Sequence, residues 1–135
     1  MKYLYLFLLL NLFGLSIQSC KEDEGKLPDI EFITGTGYTS SDTTVTAGAH
    51  LTIGIHATKT EEEDVLKHYS LSESVNGGES NTILEENLTG AHEDEYEVEY
   101  EFTVPPDANV TRKLTFTITN RDGLSNQVSL TLTVI

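Results

Sequence analysis

The sequence predicts an all-β fold, a single antiparallel two-sheet sandwich of seven to eight short strands. Three observations predict it. From Asp29 to the C-terminus, apolar and polar residues alternate in run after run, which is the period of a half-buried strand. Between the runs lie clusters of Gly, Asn, Asp and Ser, the residues of turns. No long helical pattern follows the first twenty residues, and strands this short and numerous must pack as two sheets to bury their apolar faces.

The N-terminus is of a different kind. Lys2 supplies a short positive region, and Tyr3 to Leu15 is apolar apart from Asn11. A bilayer core needs about 20 apolar residues, so the stretch is too short to span one. It fits a signal-peptide helix over residues 1–19. The run Ile17-Gln18-Ser19-Cys20 resembles the lipobox of bacterial lipoproteins, with an aliphatic residue three before the cysteine and a small one just before it. That resemblance implies cleavage between Ser19 and Cys20 and a lipid on Cys20. Cys20 is the one cysteine in 135 residues, so no intramolecular disulfide can form. An exported chain with one unpaired thiol calls for an explanation, and lipidation supplies it. The diacylglyceryl and N-acyl chains of this class would give the stable anchoring that one chain does not. Cys20 is followed by Lys21, Glu22, Asp23 and Glu24, which resembles the surface-export signal of Bacteroidota lipoproteins. The expected location is therefore the outer membrane, at the cell surface or otherwise facing the periplasm. Residues 20–27 read as the lipidated cysteine and a flexible acidic tether, and residues 28–135 as the domain.

The strands follow in order. Asp29 to Ile33 is a short strand with Ile30 and Phe32 on one face. A turn-rich stretch, Thr34 to Asp42, leads to a short edge segment at Thr44-Val45-Thr46. Leu51, Ile53, Ile55 and Ala57 alternate with Thr52, Gly54, His56 and Thr58. Thr60 and Glu63 have capping-box spacing, which predicts one helical turn. Leu66, Tyr69 and Leu71 lead a strand over about 67–75, and Asn76-Gly77-Gly78 predicts a hairpin turn because Asn and Gly tolerate positive φ. A weaker strand covers 80–88, and Gly90 to Asp94 is read as a loop. From 95 to 104, Tyr96, Val98, Tyr100, Phe102 and Val104 alternate with Glu95, Glu97, Glu99, Glu101 and Thr103. Pro105-Pro106 stops that strand. Leu114, Phe116 and Ile118 form the inner positions of the next strand, Asn120 to Gly123 turns the chain, and Val128 to Val134 alternates to the end. There is no internal repeat.

The run from Leu114 to Val134, with its central Thr-Phe-Thr-Ile-Thr-Asn-Arg-Asp-Gly, resembles the last two strands of Ig-like and PKD-like bacterial domains. The segment Gly37 to Val45 with the following Gly48 is similar to one in small Bacteroidota lipoproteins. The resemblance implies an Ig-like sandwich and an envelope location, and it brings no activity. The chain lacks the cysteine pair and core tryptophan of true immunoglobulin domains.

Charge narrows the partners. The chain has 22 acidic and 8 basic residues. Cleavage would remove Lys2, leaving 22 acidic against 7 basic residues, a net charge of −15. Such a chain repels phosphate backbones, so nucleic acid is not an expected partner. An anionic membrane surface repels it too, and membrane attachment falls to the lipid alone.

The candidate sites are few. Glu95, Glu97, Glu99 and Glu101 share one face of one strand, spaced about 6.8 Å apart. The neighbouring strand in an Ig-like sheet is 51–58, which offers His56 on the same face. A cross-strand pair between His56 and a glutamate would raise the histidine pKa. This face is the candidate site for a basic protein partner or a cation. The histidines at 50, 56, 68 and 92 have no zinc spacing, and no metal cofactor is expected beyond a weak case for calcium. That case rests on Glu61 to Asp64 and Glu93 to Glu95 meeting at one end of the sandwich. No serine lies in a nucleophile motif, so the chain is read as a non-enzymatic binding or scaffolding module. The alternative reading is glycan capture. It lacks tryptophan, and Tyr38 is its one aromatic residue not expected to face inward. Thr115, Thr117 and Thr119 beside Ser129, Thr131 and Thr133 make a hydroxyl face, explained by β-propensity.

Overall fold

The computed structural model describes residues 25–135. The signal peptide, Ser19, Cys20 and the segment Lys21 to Glu24 lie outside the described residues. Among these residues, eight strands form two sheets. They are β1 (Asp29–Phe32), β2 (Thr43–Val45), β3 (His50–Thr58), β4 (Leu66–Val75), β5 (Ser80–Asn87), β6 (Glu95–Thr103), β7 (Val110–Asn120) and β8 (Ser125–Val134). One sheet has the order β1-β3-β6 and the other β2-β8-β7-β4-β5.

Alternation decides what is buried. Ile53, Ile55 and Ala57 of β3 and Leu114, Phe116 and Ile118 of β7 turn inward and lose all but a trace of their exposure. Phe32 packs edge-on against Phe116 across the sandwich, with ring centroids 5.8 Å apart. Further along, Tyr69 of β4 lies against Tyr96 of β6 at 5.2 Å. Burying a side chain of this size contributes about 1.5–3 kcal/mol, and these rows join the two sheets into one core. Tyr69 and Tyr96 are buried, and Tyr100 on the same face is half-buried.

The turns follow the predicted chemistry. Asn76 and Gly77 both have positive φ, at 52° and 70°, and Gly78 N–H donates to Val75 O at 2.9 Å to close the β4–β5 hairpin. Gly123, at φ 80°, completes the β7–β8 turn, and its N–H donates to Asn120 O at 3.1 Å.

Three local expectations are corrected. β2 runs parallel to β8, with Thr43 opposite Leu132 and Val45 opposite Val134, whereas the other strand pairs are antiparallel. The chain crosses from one sheet to the other through residues 33–42 and arrives travelling in the direction of β8. Thr131 N–H donates to Asp42 Oδ1 at 2.7 Å, which holds the crossover against β8. The capping-box spacing at Thr60 and Glu63 yields a turn without a helix. Thr60 Oγ1 donates instead to Leu27 O at 2.8 Å, so the hydroxyl ties down the incoming chain. Residues Gly90–Glu93, expected as loop, form a short 3₁₀ helix.

The entry of the chain is pinned at one end of the sandwich. Asn120, 2% exposed, donates through Nδ2 to Asp64 Oδ2 at 2.7 Å and to Lys26 O at 3.2 Å. Its Oδ1 accepts from Leu124 N–H at 2.8 Å. Lys26 N–H donates to Glu61 Oε2 at 3.1 Å, and Asn126 Nδ2 donates to Pro28 O at 2.9 Å. Residues 26–28 are therefore held by the domain at the β7–β8 turn.

Candidate functional site

β3 and β6 pair without interruption, from His50 opposite Thr103 to Thr58 opposite Glu95. β1 pairs with the far edge of β3, placing Asp29 opposite Thr58 and Glu31 opposite His56. Alternation then gathers the outward residues on one face. Asp29 and Glu31 come from β1, His50 and His56 from β3, and Glu95, Glu97, Glu99 and Glu101 from β6. No Lys or Arg occurs in these three strands. The predicted site residues that lie among the described ones are thus brought together, with two further carboxylates from β1. The Glu95 end lies toward the tether entry and Glu101 at the far end.

Each glutamate has its own surroundings. Glu97 lies directly opposite His56 in register, yet the imidazole turns to Glu95. His56 Nε2–H donates to Glu95 Oε1 at 2.7 Å, and Nδ1 faces Glu31 Oε1 at 3.5 Å. Carboxylates only accept, so the doubly protonated ring satisfies both contacts. The hydrogen bond to Glu95 raises the His56 pKa, against a lowering by burial, and Glu31 adds to the rise. The side chain of His56 is 27% exposed. A shallow cavity of about 230 Å³ opens beside it, lined by Asp29, Ile30, Glu31, His56 and Thr58. Thr52 Oγ1 donates to Glu101 Oε1 at 3.0 Å. The Glu97 carboxylate has no hydrogen-bond partner among the described residues.

Tyr38 belongs to this face, and the sequence reading missed its role. Its hydroxyl donates to Glu99, and that contact raises the phenol pKa. The ring reaches Glu99 because β3 carries glycine at 54. A Cβ there would lie 2.8 Å from Ile33 Cβ and 3.0 Å from Tyr38 Cε1. Thr39 N–H donates to Thr52 O at 2.8 Å and Ile33 N–H to Gly54 O at 2.8 Å, which holds residues 33 and 39 against the edge of the strand. A glycine inside an alternating strand signals close approach of another segment, and Gly54 was that signal.

The acidic loops do meet at one end, around a lysine. Lys59 Nζ lies 2.6 Å from Asp94 Oδ1 and donates to Glu62 O at 2.9 Å. Among the described residues, no group of three or more His, Cys, Asp or Glu side chains is placed to hold a metal ion. His50 contacts Thr103 through Nδ1 at 3.0 Å, and His92 stacks edge-on against Tyr96 at 5.4 Å. On the opposite sheet, Thr115 pairs with Ser129, and the hydroxyls of Thr119 and Ser125 lie 2.6 Å apart, so the hydroxyl face forms. A further cluster went unnoticed in the sequence. Arg112, its side chain 8% exposed, donates to Glu73 Oε1 at 2.8 Å and to Asp107 Oδ2 at 3.2 Å.

Two sheets in this order, without a closed barrel, define an Ig-like β-sandwich module. Solved structures share this fold. The CARDB domain of the PF1109 protein from Pyrococcus furiosus, described in complex with di-metal ions, superposes with a TM-score of 0.51 at 9% identity, covering 82% of this chain and 91% of that one. The superoxide reductase (neelaredoxin) from Ignicoccus hospitalis superposes with a TM-score of 0.53 at 9% identity, covering 82% of this chain and 81% of that one. The sporulation control protein Spo0M from Bacillus subtilis gives 0.49 at 15% identity, and this chain spans about half of it, 49%. At these identities the likeness is one of fold. The fold resembles that of CARDB domains, which are Ig-like. No family model and no curated protein sequence matches the chain.

Proposed function

We propose that the chain is a lipid-anchored, non-catalytic binding module of the bacterial outer membrane that engages a basic protein partner through the β1-β3-β6 face. The observation that carries this reading is the segregation of charge. Six carboxylates and two histidines, His50 and His56, share a face on strands that contain no Lys or Arg. Repulsion along such a stripe is unfavourable unless it is solvated or paired, and a cationic partner would relieve it. Electrostatic attraction of this kind chiefly speeds association and sets specificity. The Ig-like fold supports a module role. The tether entry near the Glu95 end would leave Glu101 directed away from an anchor at Cys20.

Display at the cell surface is part of the proposal and rests on Lys21 to Glu24. Glycan capture has less support, because Tyr38 is occupied with Glu99 and Gly54 and presents no open stacking platform.

Two experiments test the proposal. Labelled palmitate should enter the wild-type chain and be absent from Cys20→Ala, which should also leave the membrane fraction. Label retained in the variant would sink the anchor. Capture from envelope extracts should be lost in Glu97→Lys with Glu99→Lys and kept in Ser129→Ala on the opposite sheet. Equal capture by the wild type and both variants would remove the acidic face from the proposal.

A further inference from the structure

β6 ends the three-stranded sheet, and among the described residues no strand pairs with its outer edge. Every second residue of β6 therefore turns its backbone N–H and C=O away from β3. The sheet beneath extends further. Tyr96 packs on Tyr69 of β4 and donates through its hydroxyl to Glu86 of β5 at 2.6 Å, so β6 lies above β4 and β5. β5 overhangs, and every one of its residues is exposed. Leu84 pairs with the buried Leu71 and shares its inward direction, yet it is 37% exposed.

The result is an uncovered lane beside β6 and above β5. Its apolar side holds Val98 and Tyr100, half-buried although they share the inner face of β6 with buried Tyr96 and Phe102. At its base the Tyr69 hydroxyl is buried and has no hydrogen-bond partner. Burial raises the Tyr69 pKa, and Tyr100 and Glu86 lie near enough to raise it further.

We propose that this edge accepts an extended segment of another protein as a fourth strand, and that the segment alternates Lys or Arg with apolar residues. The inference rests on the acidic-face reading above and names the partner for that face. Neighbouring strands lie about 4.8 Å apart, so outward side chains of an added strand would stand beside Glu95, Glu97, Glu99 and Glu101. Its inward side chains would cover Val98, Tyr100 and Leu84. Strand addition takes affinity from main-chain hydrogen bonds and specificity from alternate side chains, and β6 offers both.

Other occupants fit less well. In an antiparallel β6–β6 pair centred on Glu99, Glu99 would meet its own copy and Glu97 would meet Glu101. Like charges directly opposite are unfavourable, so a second copy is repelled. Nor can this chain fill its own lane with the required pattern, since no two of its Lys and Arg residues are separated by a single position. The edge of β5 is guarded differently. Its ladder with β4 slips at Leu71/Ser72, and such a bulge turns an edge away from pairing. The ladder of β6 has no such slip.

The test uses the mature chain and three synthetic peptides. One alternates Lys and Val. One has the same composition in two blocks. One is the alternating peptide with its amides N-methylated along either edge. Titration should show the alternating peptide binding about tenfold or more tighter than the other two, the scale of one or two net hydrogen bonds. It should also slow amide exchange within β6. Glu97→Gln with Glu99→Gln should weaken all three peptides, while Ser129→Ala should change none. Equal binding of the three peptides, or unchanged exchange in β6, would overturn strand addition and leave a charge patch alone. Failure of every basic peptide to bind would overturn both readings.

Discussion

His56 is where three strands meet through one side chain. It sits on β3, donates to Glu95 of β6 and faces Glu31 of β1. Its folded pKa is raised above the free value of 6.5. The protonated ring therefore stabilises the fold in full below that free value, until the glutamates themselves protonate. The contribution is lost as pH rises through the higher folded value. His56→Gln should cost about 1 kcal/mol or less on the acid side, given partial exposure, and almost nothing on the alkaline side. Denaturant melts of both proteins across neutral pH read this directly. Parallel stability curves would refute it. At the residue scale, the pairing of His56 with a glutamate was legible from alternation together with the strand order expected of an Ig-like sheet. The choice of Glu95 over the directly opposite Glu97 was not, because a rotamer and the carboxylate of Glu31 decide it.

Among the elements, β6 was the clearest in the sequence and β5 the least clear. β6 keeps strict alternation over nine residues, so both of its faces could be assigned before any neighbour was known. β5 carries Ile83 and Leu84 side by side, which breaks the period, and the ladder slips next to them. The glutamates of β6 also keep an open edge from joining its own copy. Replacing Glu95, Glu97, Glu99 and Glu101 together with Thr keeps β-propensity and removes that repulsion. The variant should sediment as a larger species than the wild type. A variant that sediments like the wild type would show that the glutamates do not guard the edge. The helical turn expected at Thr60 failed for a reason local sequence does not contain. The hydroxyl found a better acceptor in Leu27 O, 33 positions away.

For the molecule as a whole, the two sheets share one core, and neither has a buried face without the other. Phe116 lies at its centre, fully buried and packed edge-on against Phe32 from the opposite sheet. Phe116→Ala should cost about 3–5 kcal/mol, the usual range for a buried Phe. Circular dichroism and tyrosine fluorescence should still report one coincident transition, because the sheets unfold together. Separate transitions would mean that the sheets are independent units.

By itself the sequence determined the strands, the faces they bury and the acidic stripe. These follow from alternation and turn chemistry, which act over a few neighbouring residues. Its N-terminal pattern also set the expectation of a lipid at Cys20. Only the tertiary structure decided the full strand order and the direction of each pairing. It turned β2 parallel to β8, brought Asp29 and Glu31 to the glutamates, and laid Tyr38 across Gly54. It left β5 uncovered and one edge of β6 open. Those outcomes depend on contacts between distant segments, such as Asp42 with Thr131 and Asn120 with Lys26 and Asp64. Their free energy comes from closing the whole sandwich, and no local pattern records it.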